Sequence, residues 1–131
     1  MGGSAADLIH LEVPCDRDAP HVVRDAIDRL DELRQVREDA RLLASELVTN
    51  AVLHSGCRAE DLIEVRAAIT PHGLLISVDD PGGGGQNPRL RPADDSGLGG
   101  FGLRLVSRLA RRWGWDRPNG HRVWAELAMR T

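Results

Sequence analysis

The stretch from Arg37 to His54 constrains the fold of this chain more than any other. Its apolar residues recur at three- and four-residue spacing and Gly56 follows, which predicts a helix over 37–54 that stops at the glycine. At about 100° per residue, Ala40, Leu43, Leu47 and Ala51 share one side, and Leu42 and Leu53 make a second apolar edge roughly 100° round. Glu46, Asn50 and His54 fall between those edges, one turn apart, with the solvated arc expected at Arg41, Ser45 and Thr49. A carboxylate, an amide and an imidazole aimed at or near an interior cost free energy unless something pairs with them. Either they form a hydrogen-bonded ladder within a core, or they line a ligand site. In the second case Asn50 presents an oxygen to a metal and Glu46 acts as a base or orients water. His54 alone reads as a satisfied polar residue.

Such a helix needs a layer to rest on, and the flanking segments supply one. Leu8 to Val13 alternates as a strand and is stopped by Pro14. Asp18-Ala-Pro20 is a helix start, and Val22, Val23, Ala26, Ile27, Leu30 and Leu33 carry the apolar period of a helix over 19–35. Leu62 to Ile69 and Leu74 to Asp80 read as two strands joined by the turn Thr70-Pro-His-Gly73, an antiparallel hairpin. Residues 81–99 form a Gly/Pro/Asp-rich loop too long for a simple connector. Gly100 opens a helix running to Arg112, with Leu103, Val106, Leu109 and Ala110 as its apolar stripe. Trp113 to Asp116 and Arg122 to Leu127 close the chain as strands around a turn at Pro118-Asn-Gly120. The order βααββαββ predicts one α+β domain over residues 1–131, a mostly antiparallel sheet with helices on one face.

Composition removes whole classes of chemistry. All 17 basic side chains are arginines. Without lysine there is no Walker A loop, no protein-kinase fold, no Schiff-base mechanism and no Ser-Lys pair. A net charge of −3 speaks against nonspecific nucleic-acid binding. Cys15 and Cys57 form no CxxC pair, so both are expected as free, small hydrophobes in a reducing cytoplasm. The first residues lack the basic and apolar regions of a signal peptide, and no apolar run approaches the length of a membrane span.

Two glycine stretches remain. Leu75-Ile-Ser-Val-Asp-Asp-Pro-Gly-Gly-Gly-Gly85 ends a strand with acids and then glycines. Ile76, Val78 and Asp80 share one strand face, so Asp80 continues the buried side, with Asp79 as the fallback. A carboxylate there accepts a hydrogen bond from an exocyclic amine such as that of adenine. Gly82 and Gly84 let backbone pass close to a planar ring. The other reading is a hairpin loop with a capping Asp. Ser96-Gly-Leu-Gly-Gly-Phe-Gly102 leads into a helix, where unobstructed amides cradle phosphate. It matches GxGxxG, but a loop precedes it where the dinucleotide fingerprint requires a strand.

The ordered set is more specific than its parts: a helical Glu-x-x-x-Asn, a strand-ending Asp-x-Gly-x-Gly, then a glycine loop opening a helix. It resembles the GHKL ATPase superfamily shared by gyrase, heat-shock chaperone ATPases, MutL-type repair proteins and sensor histidine kinases. Ser45-Glu-Leu-Val-Thr-Asn-Ala-Val52 with His54, Gly102-Leu-Arg-Leu-Val106, Arg112-Trp-Gly114 and Val123-Trp124 are closer still to the small anti-sigma-factor serine/threonine kinases. The resemblance runs over about residues 12–128.

It implies a two-layer α/β sandwich of Bergerat type with a core over about 8–128 and an ATP lid over about 81–101. ATP and Mg²⁺ are the implied cofactors, with Asn50 as metal ligand. Asp80, Gly82 and Gly84 would lie on the adenine side, and Gly100, Gly102 and Leu103 on the phosphate side. Glu46 would be the general base for a Ser or Thr hydroxyl on a small antagonist protein, in a partner switch that regulates a sigma factor. Arg104 or Arg108 would add charge near the phosphates or else serve as solvated surface. A homodimer is compatible with the resemblance, and Leu8 to Val13 would offer an edge for pairing. The competing readings are a regulatory module that binds ATP without turnover, and an interaction scaffold that binds no nucleotide.

Overall fold

The computed structural model describes residues 7–54, 56–81, 105–116 and 121–129, and the side chains of all of these but His54 and His121. Strand β1 (Asp7–Pro14) leads to helices α1 (Ala19–Asp28) and α2 (Arg37–His54), then to strands β2 (Leu62–Thr70) and β3 (Gly73–Asp80). Residues 105–109 are helical, and strands β4 (Arg112–Asp116) and β5 (His121–Leu127) follow. The five strands lie in the order β1-β2-β3-β5-β4, every neighbouring pair antiparallel. The expected α+β sandwich with helices on one sheet face is the fold observed.

Alternation decides which face is covered. Val65, Val78 and Val123 sit side by side across β2, β3 and β5, as do Ala67, Ile76 and Ala125, and all six are buried. Over them lie Val23 and Ile27 of α1 and Leu43, Leu47 and Val48 of α2, none more than 1% exposed. Each fully buried aliphatic side chain of this kind contributes about 1.5–3 kcal/mol by leaving water. The β2–β3 hairpin closes at Thr70 opposite Gly73, and Gly73 has a φ of +142° that a side chain would strain. The opposite sheet face carries charge in pairs: His10 and Arg66 both reach Glu64, and Arg122 forks onto Asp79.

Three sequence expectations are corrected. The helix expected over 19–35 ends at Asp28, where the Arg29 and Leu30 amides bond to the Ala26 and Ile27 carbonyls in a tightened last turn. Leu30 is extended, and a single 3₁₀ turn at Asp31–Leu33 then drives Leu33 fully into the core. The apolar period continues, but a bend satisfies it. At the other end, Arg112 belongs to β4 and not to the preceding helix, because the Arg111 amide already bonds to the Glu126 carbonyl of β5.

The third correction concerns the cysteines, which are joined as a disulfide and not free. Cys15 follows β1 directly, with its amide on the Asp61 carbonyl at 2.9 Å, and Cys57 comes just past the end of α2. Pairing of β1 with β2 carries the two together, which no spacing rule reports.

Candidate functional site

Helix α2 is buried on two sides, which changes the expected arcs. Ser45, expected in solvent, is 5% exposed, because α1 lies alongside and Arg24 Nη1 donates to Ser45 Oγ at 3.2 Å. Leu42 and Leu53, expected as an apolar edge of the core, are 42% and 64% exposed. The open side of α2 is therefore the Leu42–Leu53 strip, with Glu46 half-buried at its border and Asn50 buried beside it. Glu46 and Asn50 thus line the margin between the helix layer and the outside.

That position sets the chemistry of Glu46. Partial burial raises its carboxyl above the ordinary value, and the Arg24 guanidinium pulls it partly back. A carboxylate that holds its proton more firmly is the stronger base. The sequence points to Arg104 and Arg108 for charge near the site, and not to Arg24. Its signal was its place inside the apolar run of α1, between Val23 and Ile27. Arg108 is exposed, and Arg104 lies outside the described residues.

Strand β3 separates the two adjacent acids. Asp80 continues the buried row of Leu74, Ile76 and Val78 beneath the helices. Asp79 points to the open face, where Arg122 Nε and Nη2 donate to its two oxygens at 2.7 and 2.8 Å. Helix α2 packs across β3, so Asn50 and Asp80 both enter the space between the layers. Ser45, Asn50, Asp80 and Glu126 are the buried polar residues among those described. Glu126 is matched by Arg111 and Arg112, and Ser45 by Arg24.

Among the described residues, Asn50 is the buried amide of this space, 7% exposed. The same residues include no group of three or more His, Cys, Asp or Glu suited to a metal. Mg²⁺ usually keeps several waters and is held by one or two carboxylates and substrate phosphates, so it needs no all-protein cage of ligands. Gly82, Gly84, Gly100, Gly102 and Leu103, and the expected lid beyond Pro81, lie outside the described residues.

A depression of about 270 Å³ on the open sheet face is lined by Asp7, Arg66, Thr70, Leu75, Ser77 and Arg122. It lies across the sheet from Asn50 and Asp80, and its two arginines are already engaged by Glu64 and Asp79. It is not the site built by α2 and β3.

A family model described as a histidine kinase-like ATPase domain matches residues 17–127. No curated protein matches the chain.

Proposed function

The chain belongs to the histidine kinase-like ATPase family, a GHKL-type ATP-binding module, and from that premise we propose that it is a serine/threonine protein kinase of the anti-sigma-factor type. The observation that carries this reading is the pairing on α2 of a buried Asn50 with a half-buried Glu46, one turn apart, the carboxyl raised by its surroundings. ATP would lie between α2 and the sheet, with Asp80 accepting from the adenine amine. Asn50 would hold Mg²⁺ together with the phosphates, and the ion would supply charge neutralisation for phosphoryl transfer.

Glu46 takes the proton from a Ser or Thr hydroxyl of a small antagonist protein. The hydroxyl oxygen bonds to the terminal phosphorus while the bond to the bridging oxygen breaks and ADP leaves. Arg24 offsets part of the rise that burial causes in the Glu46 carboxyl, and the exposed Leu42 and Leu53 flank the approach. Phosphorylation then changes which protein the kinase retains, and a sigma factor is the partner released or held. No helix among the described residues is long and apolar enough to cross a membrane, and the reading places the protein in the cytoplasm, where ATP is.

The test is phosphoryl transfer from labelled ATP to antagonist proteins co-purified from the native cell. Transfer that Glu46→Ala abolishes while ATP still binds supports the assignment. Undiminished transfer by that variant removes Glu46 as the base. Tight ATP binding with no transfer to any partner identifies a nucleotide-gated binding module instead.

A further inference from the structure

We infer that Cys15 and Cys57 form a reversible thiol–disulfide switch that fixes or frees the C-terminal end of α2, and with it Asn50. The tether stands on the fold alone; its effect on nucleotide rests on the placing of Asn50 proposed above.

The two cysteines belong to different bodies of the domain. Cys15 is 5% exposed and fixed to the end of the sheet, its amide bonded to Asp61 just ahead of β2. Cys57 follows Gly56, whose φ of +83° turns the chain away from the end of α2. Their Cα atoms are 6.3 Å apart, inside the range that a disulfide spans without backbone movement. The bridge therefore ties the helix end to the sheet end.

Reduction exchanges that tie for a weaker one. Cys57 Sγ lies 3.6 Å from the Ala51 carbonyl oxygen. Ala51 is in the last turn of α2, its carbonyl oxygen has two lone pairs and so room for a further donor, and it directly follows Asn50. A thiol can donate to that carbonyl; a disulfide sulfur has no hydrogen to give. The oxidised chain thus holds α2 through a covalent bond to the sheet, and the reduced chain holds it through a local cap.

The oxidant is a low-molecular-weight disulfide of the glutathione class. The more accessible Cys57 attacks it as thiolate and expels one small thiol. The Cys15 thiolate then attacks Cys57 Sγ and expels the second. Two electrons pass to the small disulfide, and the two cysteine protons end on the two released thiols. Excess small thiol reverses both steps, which suits a compartment where disulfides are transient and regulatory.

The whole chain is equilibrated with oxidised or reduced glutathione, quenched with an alkylating maleimide and weighed. The expected result is no alkylation and a mass lower by two hydrogens after oxidation, against two alkylations after reduction. Amide exchange in the last turn of α2 and Mg-ATP affinity by calorimetry are then compared between the two forms. Exchange should be slower in the oxidised form and affinity should differ by about 5-fold or more. Cys57→Ser should remove both responses. Two alkylations after oxidation overturn the switch, as does a bridge that leaves exchange unchanged. Altered exchange with equal affinity overturns the link to Asn50. Absence of ATP binding in both forms counts against the site, while mass and exchange still decide the tether.

Discussion

Asp79 and Asp80 are neighbours in the chain and stand on opposite faces of the sheet: one forks with Arg122 in the open, the other is buried under the helices. The pair is a built-in control for the nucleotide assignment. Asp80→Asn should weaken ATP binding about 10-fold or more, a loss of about 1.4 kcal/mol. Asp79→Asn should leave affinity within about 2-fold while lowering stability by about 1 kcal/mol through its half-exposed ion pair. Calorimetry and denaturant unfolding of both variants separate the two roles, and the reverse ranking would move the adenine contact to Asp79.

Glu46 carries a cost that its removal should reveal. Its folded carboxyl is raised, so its contribution to stability is fully present below the ordinary value of 4.5 and is lost as pH rises through the folded value. Once ionised, the partly desolvated group therefore weakens the fold. Glu46→Gln should raise the melting temperature by about 1–3 °C at pH 7 and by less near pH 4. The same change should lower phosphoryl transfer about 100-fold or more. Melts at both pH values check the sign, and a lower melting temperature at pH 7 contradicts it.

Asn50→Ala should cost nucleotide affinity in a way that depends on the ion. With Mg²⁺ present the loss should be about 10-fold or more, and with a chelator in its place the variant and the parent chain should bind ATP alike. Titrations in the two buffers measure it. An equal loss in both would make Asn50 a direct contact to nucleotide with no part in holding the ion.

Gly73→Ala should destabilise the fold by about 2–4 kcal/mol with no direct effect on nucleotide. The new Cβ would meet the Leu127 carbonyl of the neighbouring strand, on a backbone whose φ of +142° already disfavours a side chain. Urea unfolding gives the loss, and ATP affinity measured under stabilising conditions should be retained.

Much of this arrangement was legible because strand and helix periods are local. Alternation found β1, β2, β3 and β5 to within a residue or two, and the choice of Asp80 as the buried acid followed from Ile76 and Val78. What failed needed a neighbour. Ser45 looks like solvent-facing serine until α1 lies against it, and Leu42 looks like core until the sheet takes the other side. Leu33 keeps its period while the chain leaves the helix, because burial specifies where a side chain goes and not which turn carries it there. Arg24 became visible only once two helices were packed together. The cysteines met for a similar reason, since β1 has to pair with β2 before their positions coincide.

The placing of β1 also bears on how the molecule is made. Pro14 lies opposite Leu62, so the first strand pairs with β2 after both helices have intervened, whereas β2 and β3 meet across a two-residue turn. Local pairings close quickly and distant ones late. On a nascent chain leaving the ribosome, α1 and α2 therefore exist before the surface they are shaped to cover. Their apolar stripes must wait, exposed, until the central hairpin emerges to receive them.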